Sequence, residues 1–129
     1  MTDANRTPAE IVADFCAAWT RLDLDELLGY FTPDAVYHNI PVAPVVGVDA
    51  IRATMQMFTT GVERIEFRVN NIAATGNVVL TERVDVFVQP ERTIELPVMG
   101  TFEVVDGKIA AWRDYFDLKQ YMDQAGLAG

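Results

Sequence analysis

Three ionisable side chains stand where strand periodicity can bring them together. The segment Thr81-Glu82-Arg83-Val84-Asp85-Val86-Phe87-Val88 alternates, so Arg83, Asp85 and Phe87 share one face while Val84, Val86 and Val88 share the other. Near the C-terminus Trp112, Asp114 and Phe116 share a face, opposite Arg113, Tyr115 and Asp117. An aspartate two residues from both a tryptophan and a phenylalanine is a carboxylate on an apolar face, and buried carboxylates are rare unless paired. A guanidinium binds two carboxylates through its fork of donors, which makes Arg83 the natural bridge between Asp85 and Asp114. Two carboxyls in one dry pocket do not readily both ionise. One then stays protonated as an acid while the other works as a base, and the chemistry on offer is proton transfer.

The plain alternative is an exposed Arg83–Asp85 pair on a strand whose valines make the core, and the alternation of that one segment fits both orientations. Two features favour the inward reading. Phe87 lies on the charged face, and Ile94, Leu96, Val98 and Phe102 on the next segment are in phase with one another. If the charged face points inward, the valine face becomes an outer apolar surface that a second subunit would cover, so one orientation predicts both a polar pocket and a homodimer. A buried triad kept only for fold specificity is the other alternative, but it carries a desolvation cost and is a weak source of stability. Tyr37 and Asn39, two apart, add a hydroxyl and an amide suited to holding a water. His38, on the opposite face, reads as structural or solvated.

The elements that must position these groups follow from pattern. Ile11, Phe15, Ala18, Trp19 and Leu22 recur at helical spacing after Thr7 as N-cap and Pro8 at the first helical position. A short helix is expected over 24–31, a turn at Thr32-Pro33-Asp34, a strand over 35–40 and a helix over 48–60 opened by Asp49. Beyond Gly61 the chain is rich in β-branched and aromatic residues, broken at Thr75-Gly76-Asn77, Gln89-Pro90-Glu91 and Asp106-Gly107. That predicts an antiparallel meander over 63–74, 78–88, 92–105 and 108–117, with a closing helix over 118–125. Helices first and a strongly curved, mostly antiparallel sheet afterwards make an α+β domain whose conical inner side holds the ligand site.

With 129 residues the chain is expected to form a single domain, 1–129. The ten basic and nineteen acidic residues give a formal charge of −9, with no basic cluster, which argues against nucleic acid and anionic membrane and favours an uncharged ligand. The opening MTDANRTPAE lacks the cationic flank and apolar run of a signal peptide, and no apolar run is long enough to cross a bilayer, so a cytoplasmic location is expected. The lone Cys16 excludes an internal disulfide and reads as core, and one histidine offers no zinc-ligand cluster. No Gly-x-Ser-x-Gly elbow points to a covalent route. No metal or cofactor is expected.

AVYHNIP, TERVDVF and AWRDYFD, in this order, resemble the limonene-1,2-epoxide hydrolase family, in the SnoaL-like branch of the NTF2-like cone fold, over nearly the whole chain. The resemblance implies a sheet wrapped over three to four helices and a cofactor-independent hydrolysis of an epoxide to a vicinal diol. It makes Asp85 the acid that protonates the epoxide oxygen and Asp114 the base that deprotonates water. It has Tyr37 and Asn39 hold that water and Arg83 bridge the carboxylates. It makes the step concerted, and Phe87, Leu96, Val98, Phe116 and Trp19 are expected to line a pocket for a cyclic or bulky apolar epoxide. A ketosteroid-isomerase-like or polyketide-cyclase-like proton shuttle in the same cone needs a base and an oxyanion donor but has no use for Arg83 between two acids. A non-catalytic NTF2-like binding module explains the outer face and leaves the acids unexplained.

Overall fold

A computed structural model describes residues 6–127, so the two ends of the expected domain, and the first five residues of the segment read for a signal peptide, lie outside the described residues. Helix α1 spans Pro8–Ala18 and opens with a capping box: Glu10 N–H donates to Thr7 Oγ1 and Thr7 N–H to Glu10 Oε1. The helical pattern expected through Leu22 ends earlier. Trp19–Arg21 tightens into a 3-10 turn, and Leu22 adopts φ 49, a left-handed conformation that no helix continues through. Helix α2 is Leu24–Leu28, capped by Asp23.

Strand β1 runs Phe31–Asn39 and takes in the Thr32-Pro33-Asp34 segment read as a turn. The chain bends there without leaving the sheet, because the pairing of β1 slips between Phe31 and Val36, a bulge that tolerates a proline. A two-residue strand β2, Val45–Val46, pairs with Val36 and Tyr37. Helix α3 is Val48–Thr59. The meander follows closely the expected bounds: β3 Arg64–Thr75, β4 Val78–Val88, β5 Thr93–Val105 and β6 Lys108–Tyr115, then α4 Leu118–Ala125. Strand β6 stops short of Asp117, whose carboxylate instead accepts from Gln120 N–H as the N-cap of α4.

The six strands form one curved sheet in the order β2-β1-β6-β5-β4-β3, antiparallel except where β1 runs parallel to β6. Helix α1 packs on β3 and β4 across the inner side. An aromatic cluster holds the two layers together: Phe15 meets Trp19, Phe31, Phe102 and Trp112 edge-on, while Tyr37 and Phe102 stack on Trp112. Cys16 is buried in this core, as its place on α1 predicts, and burial pushes its thiol up to about 12, where it is neither nucleophile nor ligand. No described helix is long and apolar enough to cross a membrane.

Candidate active site

The β4–β5–β6 register sets the site. Burial alternates along β5 from Thr93 to Val105 with the even-numbered residues inside, and β4 places Thr81, Arg83, Asp85 and Phe87 on the same inner face. The charged face thus points into the cone. Gly100 pairs with Thr81 on one side and with Asp114 on the other, and Asp114 pairs in turn with Asn39 of β1. One row across four strands therefore carries threonine, glycine, aspartate and asparagine.

Arg83, Asp85 and Asp114 are 1%, 4% and 4% exposed. Arg83 Nε donates to Asp85 Oδ1 at 2.9 Å and Nη2 to Asp85 Oδ2 at 2.8 Å. The same Nη2 donates to Asp114 Oδ2 at 2.8 Å, and Nη1 to Asp114 Oδ1 at 3.2 Å. The guanidinium is forked to each carboxylate, and its carbon lies over the Phe67 ring, 4.7 Å from the ring centre. Asp114 also accepts from Trp112 Nε1 at 2.7 Å. It receives three N–H donors against two for Asp85.

The electrostatics follow from burial. Burial alone would lower Arg83, but Asp114 and Asp85 outweigh it and hold the guanidinium charged, well above its ordinary range. Burial pushes Asp85 up to about 6, Arg83 opposes the rise, and the charge of Asp114 adds to it. Tyr37 is raised well above a normal phenol, by burial first and then by Asp114, so it stays a neutral hydroxyl. Its O–H donates to Asn39 Oδ1 at 3.3 Å. His38 Nε2 meets the carbonyl of Val42 at 3.0 Å, the structural role expected of it.

A cavity of about 250 Å³ opens onto these groups. Asp85, Asp114, Tyr37 and Asn39 line it, as do Phe87, Leu96, Val98 and Phe116 from the sequence-derived set. Trp19 does not. It sits one layer deeper, stacked against Phe58 and Phe67, and those two rings form the wall it was expected to supply. Further lining comes from Val42, Met57, Leu118 and Tyr121, which no strand pattern marks because they sit on a loop and two helices. Phe67 was legible from the Ile65, Phe67, Val69 alternation, and Thr81 from its phase with Arg83. Gly100 was legible only as a glycine at an inward strand position, a sign of close approach. Among the described residues no group of side chains could hold a metal ion.

The outer face departs from the sequence reading at one position. Val86 is already 2% exposed, flanked in register by Glu66 and Glu95, both of which pair with Arg68. Val84 and Val88 are half-buried, and the more exposed apolar side chains on this face include Leu80, Met99, Val105 and Tyr115.

Comparisons with known proteins identify the family. Epoxide hydrolase EphG of Mycobacterium tuberculosis is 35% identical over 107 residues, 83% of this chain and 71% of that protein. The structure of an LEH-like epoxide hydrolase from M. tuberculosis superposes with a TM-score of 0.79 at 29% identity, covering 92% of each chain. A protein of ketosteroid isomerase-like fold from Catenulispora acidiphila gives 0.81 at 23% identity over 94% of this chain and 95% of its own, a likeness of fold alone. The family model for the limonene-1,2-epoxide hydrolase catalytic domain matches residues 6–126, and with it this chain belongs to the limonene-1,2-epoxide hydrolase family of epoxide-hydrolysing enzymes.

Proposed function

We propose that the protein adds water to a neutral, apolar epoxide in one concerted, cofactor-independent step, giving a vicinal diol. One observation carries this reading: a single guanidinium stands between two buried carboxylates. That cluster is electrically neutral only when one carboxyl holds a proton, and the proton it must hold is the one an epoxide needs. Asp85, raised by burial, keeps it. Asp114, supplied with three donors, is suited to the acceptor-only form, the carboxylate.

In the step itself, Asp85 gives its proton to the epoxide oxygen as the ring C–O bond breaks. A water accepted into the Tyr37–Asn39–Asp114 corner attacks the carbon from behind, and Asp114 takes the proton that water loses. The Tyr37 hydroxyl, committed to Asn39, leaves its oxygen to accept from that water, and the Asn39 amide is free to donate to it. Afterwards Asp85 is ionised and Asp114 protonated, and the proton returns across the Arg83 bridge or through solvent. Apolar walls and a volume just under the usual ligand-pocket range of about 300–1,000 Å³ suit a compact cyclic or aryl epoxide. A carbonyl-directed proton shuttle would leave Arg83 without a task.

We also propose a homodimer through the outer sheet face, supported by the exposed Met99–Tyr115 pair, with Leu80 and Val84 flanking Glu82 on the neighbouring strand.

Incubation with a panel of cyclic and aryl epoxides in oxygen-18 water tests the reaction. Diol carrying label is expected; no diol from any member overturns the proposal. In a single turnover the label is expected in the diol, and label in Asp85 or Asp114 would replace the concerted step by an ester intermediate.

A further inference from the structure

We propose that Thr81 and Gly100 are positioning residues for the Asp85–Arg83–Asp114 site. The threonine hydroxyl holds the outer edge of the Arg83 guanidinium, and the glycine leaves the gap through which that guanidinium reaches Asp114. The kinetic consequence rests on the hydrolytic reading above, whereas the geometric one does not.

A guanidinium side chain carries five N–H donors. Four of those of Arg83 go to the two aspartates, and the remaining one, on Nη1, goes to Thr81 Oγ1 at 3.1 Å. The hydroxyl can accept it because its own hydrogen is directed to the Gly100 carbonyl, 3.3 Å away. Thr81 is fully buried and outside the cavity wall, so it touches neither water nor a ligand. Without it, one buried N–H has no acceptor, and the cation is held only by two forks that share Nη2. A rotation about that shared corner would then trade a bond to one carboxylate for a bond to the other. Phe67, over whose ring the guanidinium carbon lies, offers no side-chain acceptor for that N–H.

Gly100 does the complementary thing by being empty. It stands between Thr81 and Asp114 in the four-strand row. Its φ is not positive, so its backbone accepts any residue and the requirement is one of space. A Cβ there would fall on Arg83 Nη1, and would lie 2.7 Å from Asp114 Oδ1 and 2.9 Å from Thr81 Oγ1. The two nearest atoms, Arg83 Nη1 and Asp114 Oδ1, are bonded to each other, and neither can retreat without straining that buried ion pair.

The test uses Thr81→Val, Thr81→Ala, Thr81→Ser and Gly100→Ala in the full chain, with two readouts. The first is kinetics on an epoxide that the wild type turns over. Valine and alanine at 81 are expected to lower kcat about 10- to 100-fold with KM nearly unchanged, because a small displacement of acid and base costs rate while the cavity wall is untouched. Serine restores the rate, and alanine at 100 lowers it as valine at 81 does. The second is the ¹H–¹⁵N spectrum of the guanidinium groups, which needs no substrate. Separate, slowly exchanging Nη protons of Arg83 are expected in wild type and Thr81→Ser, and merged or fast-exchanging ones in Thr81→Val and Thr81→Ala. Should valine prevent folding, alanine removes the hydroxyl without bulk. Wild-type kcat together with a wild-type guanidinium spectrum in a folded hydroxyl-less variant overturns the inference. A wild-type protein that opens no epoxide overturns the proposed function instead, and the spectra still decide the role of Thr81.

Discussion

At the scale of the residue, the site is a problem in charge counting, and Asp85 is where it becomes measurable. Its carboxyl, pushed up to about 6 by burial, must be protonated to act as the acid, so kcat/KM is expected to hold below that value and fall about tenfold per unit above it. Steady-state profiles on a stable epoxide check this, and a descending limb unaltered in position when Asp85 is the only group changed would remove it as the acid. Asp85→Asn and Asp114→Asn are each expected to cost about 10²- to 10⁴-fold in kcat, the usual contribution of a positioned acid or base. The same carboxyl links pH to stability. A folded value above the unfolded 3.8 means that the native state keeps a proton the unfolded chain releases. Its contribution is therefore complete below 3.8, is lost as pH rises towards about 6, and is constant above. Calorimetry of wild type against Asp85→Asn should show their Tm difference moving in favour of the variant across that window. A constant difference would mean that Asp85 does not titrate there. The acids and Arg83 were readable as residue types in phase. Thr81 was not singled out, since a threonine is ordinary in a strand, and Gly100 has no side chain to announce its role.

At the scale of the element, strand pattern was legible and strand partnership was not. Alternation marks both faces of β4, β5 and β6 within two residues of their ends, because burial on one side acts on every second side chain. The parallel pairing of β1 with β6 leaves no such trace, yet it is what brings Asn39 beside Asp114. The end of α1 also escaped, since Leu22 fits the helical spacing but turns left-handed. One junction explains an otherwise awkward residue. Strand β5 pairs with β6 only from Met99 onward, so its first half presents an open edge on that side. Gln124 of α4 fills part of it as a strand would: Glu95 N–H donates to Gln124 Oε1 at 2.7 Å, and Gln124 Nε2 donates to the Glu95 carbonyl at 2.9 Å. Pro97 turns its nitrogen to the same side by the alternation of the backbone, where no strand asks for an N–H. Arg92 also donates to the Ala125 carbonyl at the end of α4. Because Leu118 and Tyr121 of this helix line the cavity, Gln124→Ala is expected to loosen the wall. A loss of about 1–2 kcal/mol in denaturant unfolding should accompany a raised KM with kcat retained. Unchanged hydrogen exchange at Glu95 N–H in that variant would show that the side chain does not hold the edge.

At the scale of the whole molecule, the inward turn of the charged face decides what is left outside. A half-buried antiparallel sheet commonly gives its polar side to water, as β3 does with Arg64, Glu66 and Arg68, but β4 turns Arg83 and Asp85 inward. The outer face inherits Val84 opposite Pro97 and Met99 opposite Tyr115, with Leu80 further along β4 and Glu82, the register partner of Met99, lying between Leu80 and Val84. Three of them, Leu80, Met99 and Tyr115, are close to half exposed. A twofold interface places each such side chain near its own copy, so a like charge introduced at its centre repels itself. Met99→Glu is therefore expected to convert a dimer into a monomer, while kcat per chain changes little because Met99 points away from the cavity. The formal charge of −9 on each chain opposes association at long range, and salt screens it, so the dimer should tighten as ionic strength rises. Sedimentation equilibrium of wild type and variant across a salt series separates the possibilities. Wild-type chains sedimenting at single-chain mass at micromolar concentration in every salt would remove the outer face as a self-association surface. The hydrolytic site would be unaffected, since every group assigned to it lies within one chain.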